Sequence, residues 1–295
     1  MARLATPLQP ELAQCNRAPA QLWLPHWTLS HCVRAMVSRS TLGIGRSWPA
    51  EWHHNHFPAS PLCTISWFFA GHSELLEPGQ PPQRLPRVSV AGPFTRPTQS
   101  RNSAEGHGMM LMLMPDALQA LTGIDPARCL NRFVPLADAL DASWQSMADA
   151  VLAAPDDATR VVLIEGFLAP RWQALRREAE HPHLLRLQDW LQGLAMQAAA
   201  SGAGRSLRQF ERRIKGWTGL PMRELRGLGR AEQAFFRALA EGEGPVRWAK
   251  VAADTGYADQ SHLCRETRRV TGFAPQELRR RIAEDECFWI YRIWT

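Results

Sequence analysis

The 295-residue chain has no apolar run of membrane-spanning length. A spanning helix needs about 20 consecutive apolar residues, so no membrane partner is expected. The opening stretch MARLATPLQPELAQC lacks the long apolar core of a secretory signal. Six cysteines, Cys15, Cys32, Cys63, Cys129, Cys264 and Cys287, are scattered and never fall at C-x-x-C spacing. That argues against a zinc cluster and suits free thiols in a reducing cytoplasm, the expected location. No nucleophile–base motif stands out, so no enzyme is expected, and neither a metal nor a cofactor.

Charge is present but uneven. The formal net charge is +6. Residues 181–282 hold about 18 Arg and Lys against about 10 Asp and Glu, whereas residues 1–180 come out near neutral. A basic C-terminal third on a neutral body is the electrostatic footprint of nucleic-acid binding. Charge alone would equally describe a solvated face, so other features must decide.

The deciding feature is an internal repeat. A shift of 53 positions, without gaps, lays Met196–Ser206 on Ala249–Asp259 and Leu207–Leu225 on Gln260–Leu278. Arg212 then matches Arg265, Thr218-Gly219 matches Thr271-Gly272, and Glu224-Leu225 matches Glu277-Leu278. Each copy reads as a short Ala-rich helix (Ala195–Ala200, Trp248–Asp254), a turn with glycine (Gly202 and Gly204, then Gly256) and a capped second helix. Ser206 with Gln209 forms a capping box, and Asp259 is an N-cap. The Thr-Gly pairs supply left-handed stops, and Pro221 and Pro275 open the next helices. A repeated helix–turn–helix in a basic segment predicts two reading heads on one face of a DNA duplex.

The second helices are two-sided. In the first, Leu207, Phe210, Ile214 and Trp217 are spaced for burial, and Arg208, Glu211, Arg212 and Lys215 share the opposite face. In the second, Leu263 and Val270 point inward while Ser261, Arg265 and Arg268 point outward. Gln260 and His262 lie at its N-terminal end, the part of a recognition helix that meets base edges. Arginine can grip guanine and glutamine adenine through two hydrogen bonds each, and the other basic residues can hold phosphates.

The run Gly256-Tyr257-Ala258-Asp259-Gln260-Ser261-His262-Leu263-Cys264-Arg265, followed by Thr271-Gly272-Phe273-Ala274-Pro275-Gln276-Glu277-Leu278, resembles the signature of the AraC/XylS family of bacterial transcription regulators. The resemblance covers about residues 183–283 and is tighter in the second unit. It implies two helix–turn–helix units joined by a long helix, Met222–Glu241, that enter successive major grooves. It places base reading on Arg208, Gln209, Glu211 and Arg212, and on Gln260, Ser261, His262 and Arg265. Three departures stand out. Thr267 replaces a usual buried Phe, Ala274 replaces a common Ser cap, and the first unit has a longer turn at Ser201–Arg205.

Residues 1–180 predict strands at Cys32–Ser38, Leu62–Phe69, Arg87–Val90 and Met109–Met114. Helices follow at Pro115–Leu121 (ending at Gly123), Ser143–Ala154 and Ala158–Glu180. Strands followed by helices read as an α+β domain ahead of an all-α domain of two helix–turn–helix units, and the resemblance to AraC/XylS regulators implies that its sheet is small and barrel-like. Leu85–Arg96 and Arg132–Leu140 resemble the sensor or dimerisation domain of some AraC/XylS regulators. The expected division is 1–180, 183–283 and an aromatic tail at 284–295, with the boundary in Glu178–His183.

Other features have bland readings. The run Trp52-His53-His54-Asn55-His56 reads as a polar loop or satisfied rings before it reads as a metal site. Met109–Met114 reads as a buried strand before it reads as an adaptable pocket wall. Trp67, Phe68, Phe69 and Phe94 read as core aromatics, and Cys264 as a small interface residue. The tail Glu284–Trp294, acidic then aromatic, reads as a strap packed within the molecule, with a dimer contact as the alternative.

The function expected is a sequence-specific transcription regulator, with activation the favoured direction. Its partners would be promoter DNA, RNA polymerase, and a small-molecule effector or a second copy of the chain. A non-specific architectural DNA binder and a DNA-repair protein are the alternatives.

Overall fold

A computed structural model describes residues 7–8, 17–175, 186–200, 206–242 and 244–294. Eleven strands occur among them: β1 (Pro7–Leu8), β2 (Ala20–Trp23), β3 (Val33–Ser40), β4 (His54–Phe57), β5 (Cys63–Ala70), β6 (Ser73–Leu76), β7 (Gln83–Arg84), β8 (Val88–Ala91), β9 (Thr98–Asn102), β10 (His107–Leu113) and β11 (Phe133–Pro135). They form two antiparallel sheets, one ordered β1-β2-β3-β10-β5-β8-β11 and one ordered β4-β9-β6-β7.

β10 sits at the middle of the larger sheet, with Met110 opposite Val37 on one side and Ser66 on the other. Its run is apolar on both faces because both faces are covered. Met109, Leu111 and Leu113 belong to the main core with Trp144, Val151, Ile164 and Leu168, whereas Met112 packs with Ala35, Val37 and the C-terminal tail. The buried-strand reading of Met109–Met114 therefore holds, with one residue of shift at its C-terminal end.

Helices follow the strands. α1 (Pro115–Thr122) opens on Pro115 and stops at Gly123, whose φ of 72° and N–H bond to the Gln119 carbonyl make a left-handed cap. α2 (Leu136–Ala139), α3 (Ala142–Ala153) and α4 (Asp157–Leu175) back the large sheet. The C-terminal half holds α5 (Leu187–Ala200), α6 (Leu207–Thr218), α7 (Met222–Leu239), α8 (Trp248–Asp254), α9 (Gln260–Thr271), α10 (Pro275–Glu284) and α11 (Trp289–Arg292). A sheet-rich N-terminal domain thus precedes a helical region with two helix–turn–helix units. No helix among the described residues is long and apolar enough to cross a membrane.

Several expectations need correction. The helix expected at Ala195–Ala200 is the end of the longer α5, because Leu187, Trp190, Leu191 and Leu194 extend the same buried stripe backward. The helix expected at Ala158–Glu180 is described as far as Leu175. Glu178–His183, Ser201–Arg205 and Cys15 lie outside the described residues. The run from Trp52 to His56 is a 3-10 turn leading into β4, not a loop. Strands β1, β2, β4, β6, β7, β9 and β11 went unpredicted, being short or polar on a buried face.

Candidate nucleic-acid interface

The two repeat copies match down to individual hydrogen bonds. In α6 the Gln209 N–H donates to Ser206 Oγ at 3.3 Å, and in α9 the His262 N–H donates to Asp259 Oδ1 at 2.6 Å. At the other ends, Gly219 (φ 75°) and Gly272 (φ 87°) donate to the carbonyls of Lys215 and Arg268, each at 2.8 Å. The threonine before each glycine returns its hydroxyl to the preceding turn, Thr218 to Ile214 O at 2.8 Å and Thr271 to Thr267 O at 2.7 Å. Asp259→Ala removes one cap, so it should cost about 1 kcal/mol in chemical denaturation. An unchanged midpoint would show that tertiary packing alone holds the start of α9.

The inward faces are buried by Ile214 in α6 and by Leu263 and Val270 in α9. Phe210 and Trp217 are half-buried. Leu207, expected inside, is 77% exposed, because it occupies the first turn before α6 meets its neighbours. On the outward faces Arg208, Gln209, Arg212, Lys215, Gln260, Ser261, Arg265 and Arg268 are all exposed. Two residues differ. Glu211 is half-buried and its carboxylate accepts the Met222 N–H at 3.3 Å, which caps α7. His262 is half-buried, edge-on to Tyr257 at 5.2 Å. Thr267 is half-buried and spends its hydroxyl on the Leu263 carbonyl at 2.9 Å. Ala274 is the N-cap of α10 without a side-chain bond, and Pro275 at the first helical position substitutes for that cap. Cys264 is half-buried.

Both reading units are fastened to the N-terminal domain. α6 lies against α1 and the 3-10 turn Pro126–Cys129, and Gln119 of α1 lines a crevice with Gln209, Arg212 and Trp217. A Cβ at Gly219 would stand 2.9 Å from the Ala127 nitrogen, so this junction needs glycine for space as well as for φ. Trp190 of α5 donates to Asp116 at 2.8 Å, and burial raises that carboxyl to about 6. At the second unit, the Ala59 N–H donates to the Val270 carbonyl at 2.7 Å. Arg34 pairs with Glu232 of α7 at 3.2 Å.

The tail makes a further junction, whose individual partner residues the sequence did not name. Glu286 is 2% exposed and accepts from Arg39 at 2.8 Å and Arg292 at 2.6 Å. Asn55 Oδ1 accepts from Arg39 and from the Trp289 indole, each at 2.8 Å. Phe288 is fully buried, and His56 stacks on it with centroids 4.7 Å apart. The strap therefore packs within the molecule, and His53 and His56 of the histidine run are spent on ring contacts. No cluster of metal-ligating side chains occurs among the described residues.

Burial, and then the positive charges of His54 and Arg281, lower His56 to about 4. An unfolded imidazole titrates near 6.5. The unfolded chain thus binds this proton first, so stability should fall as pH drops from about 6.5 to about 4. His56→Phe should flatten that slope in thermal melts taken across the range; an unaltered slope would place the linkage elsewhere.

A cavity of about 340 Å³ lies between the two sheets and the C-terminal helices. Its walls include Phe68 and Phe94 from the N-terminal domain, Phe235 of α7, Thr267 of α9, and Tyr291. Of the aromatics expected in the core, Trp67 is fully buried, Phe69 packs against His107, and Phe68 and Phe94 reach this space.

Residues 199–281 match a family model described as a helix-turn-helix domain. No curated protein matches the chain. Among solved structures, the fold is similar to ToxT from Vibrio cholerae O395, with 11% identity, TM-score 0.34 and coverage of 76% of this chain and 94% of that one. It is also similar to unsaturated fatty acid bound wild-type ToxT from Vibrio cholerae strain SCE256, with 13% identity, TM-score 0.34 and coverage of 76% and 93%. The AraC-like transcriptional activator CuxR gives 13% identity, TM-score 0.31 and coverage of 97% and 88%. Residues 199–281, a little over a quarter of the chain, are thus similar to helix-turn-helix domains.

Proposed function

We propose that the chain is a sequence-specific regulator of transcription that reads promoter DNA with α6 and α9. The observation that carries this reading is the repeat of exposed Arg and Gln side chains along the outward faces of two identically capped helices. Arg208, Gln209 and Arg212 would read one major groove, and Gln260, Ser261 and Arg265 the next. Lys215 and Arg268 would hold phosphates, which positions the domain without reading sequence. Glu211 and His262 contribute at the margin, since each already has an internal partner. Residues 183–283 would form the DNA-binding domain, residues 1–180 an effector-binding or dimerisation domain, and 284–295 the strap between them. Activation through RNA polymerase, in the cytoplasm, is the favoured outcome.

Fluorescence anisotropy of the full chain on DNA upstream of its coding sequence, against a scrambled duplex across a salt series, tests the reading. A preference of roughly a thousandfold is expected. Equal, steeply salt-dependent binding to both would favour the architectural alternative.

A further inference from the structure

The cavity between the sheets and the C-terminal helices has a defined chemistry. Its volume of about 340 Å³ falls in the range of small-molecule sites, about 300–1,000 Å³. Met110, Met112, Phe57 and Phe68 supply a largely apolar wall that can adapt to an irregular shape. The arginines on its walls are already engaged. Arg39 is held at its two terminal nitrogens by Glu286 and Asn55, with its Nε left without a partner among the described residues, Arg34 is held by Glu232, and Arg279 by the carbonyls of Gly242 and Gly244. Two imidazoles line it, His72 and His107, and the latter bonds Asp157 at 3.1 Å. A carboxylate entering this space would meet Glu232, and the guanidinium groups on the walls are already set against carboxylates or carbonyls.

A donor, by contrast, waits there. Tyr291 is 5% exposed, lines the cavity, and its hydroxyl has no hydrogen-bond partner among the described residues. The indole N–H of Trp67, also on the lining, is in the same condition. A buried donor without a partner costs stability, and an acceptor brought by a ligand would recover that cost. Burial also pushes the Tyr291 phenol well above its ordinary range, so it stays protonated and able to donate.

We infer that the cavity binds an uncharged, mostly apolar small molecule carrying a hydrogen-bond acceptor, which takes the Tyr291 hydroxyl proton in a hydrogen bond. This rests on reading residues 1–180 as an effector-binding domain and assigns the class of effector. Because α7, α9 and the tail share the walls, occupancy would bear directly on the DNA-reading unit.

Three probes of one size separate the chemistries: 4-acetylbiphenyl (neutral, with acceptor), 4-ethylbiphenyl (neutral, without acceptor) and biphenyl-4-carboxylate (anionic). Isothermal titration calorimetry on the full chain without DNA should show the ketone binding at least about tenfold more tightly than the carboxylate. Tyr291→Phe should weaken the ketone about threefold to tenfold, the worth of one neutral hydrogen bond, and leave the ethyl compound unchanged. The unliganded variant should melt at the same temperature or higher, since it loses an unpaired hydroxyl, so a folding defect would not mimic the result. Tighter binding of the carboxylate, indifference of the ketone to Tyr291→Phe, or no saturable binding of any probe would each overturn the inference. DNA anisotropy on the same preparation keeps the two readings apart: DNA binding without probe binding removes only the ligand, and probe binding without DNA binding removes only the regulator.

Discussion

Glu286→Gln should destabilise the chain by about 3–5 kcal/mol, the largest single-site loss expected outside the apolar core. Glu286 sits between two guanidinium groups in a place almost closed to water: its side chain is 2% exposed, that of Arg39 is 6% and that of Arg292 is 17%. Burial lowers both arginines, and the charge of Glu286 works against that shift. Removing the carboxylate charge would leave two cations facing each other without compensation, the situation in which breaking a buried ion pair costs most. Urea denaturation measures the effect, and Arg46→Ala supplies the contrast. Arg46 also pairs with a carboxylate, Glu105, at 2.7 Å, but its side chain is 82% exposed, and such surface pairs contribute about 0–1 kcal/mol. Similar losses for the two variants would mean that water reaches Glu286 and that the tail is not a sealed junction.

Arg208→Ala combined with Arg265→Ala should abolish most sequence preference while leaving weak, salt-dependent binding. Each arginine that reads a base is worth about 1–3 kcal/mol, and contributions at separated positions roughly add. The double variant should therefore lose about 30-fold to 25,000-fold on the specific duplex and far less on a scrambled one. Both side chains are exposed, so folding should be untouched and circular dichroism should match the parent. Equal loss on both duplexes would reassign the two residues to phosphates.

The C-terminal half could be read from sequence because its determinants are local. Ser206, Asp259, Gly219 and Gly272 each act within one turn of their own position, and the repeat displays them twice. Ends of helices moved by a residue or two, except that the short helix expected from Ala195 begins at Leu187. Leu207 misled because periodicity places it on the apolar face, yet nothing covers the first turn of α6. The N-terminal sheets were legible where strands were largely apolar, as in β5 and β10. β4 and β9 escaped because their buried positions are polar: Asn55 donates to Ser100 at 3.1 Å, deep between the sheets. That burial is set by partners far away in sequence, Arg39 and Trp289, and no local pattern reports them. The same holds for Glu286. Its acidic neighbours and the aromatic run announced something unusual, but the identity of the cation it meets is a tertiary fact.

The fastening of both reading helices to one outside body has a geometric consequence. α6 is held through Gly219 against Ala127, and α9 through Val270 against Ala59. The angle and separation of the two heads are then held by the β-sheet domain as well as by α7, in the way a caliper's opening is held by its frame. One added base pair between two half-sites turns the second about 34–36° around the duplex axis, since a helical turn takes about 10–10.5 base pairs. A rigid caliper cannot follow that rotation. On the proposed reading, tolerance for operator spacing becomes a property of the β-sheet domain as well as of the helices, and whatever loosens its grip would widen the set of promoters the molecule fits.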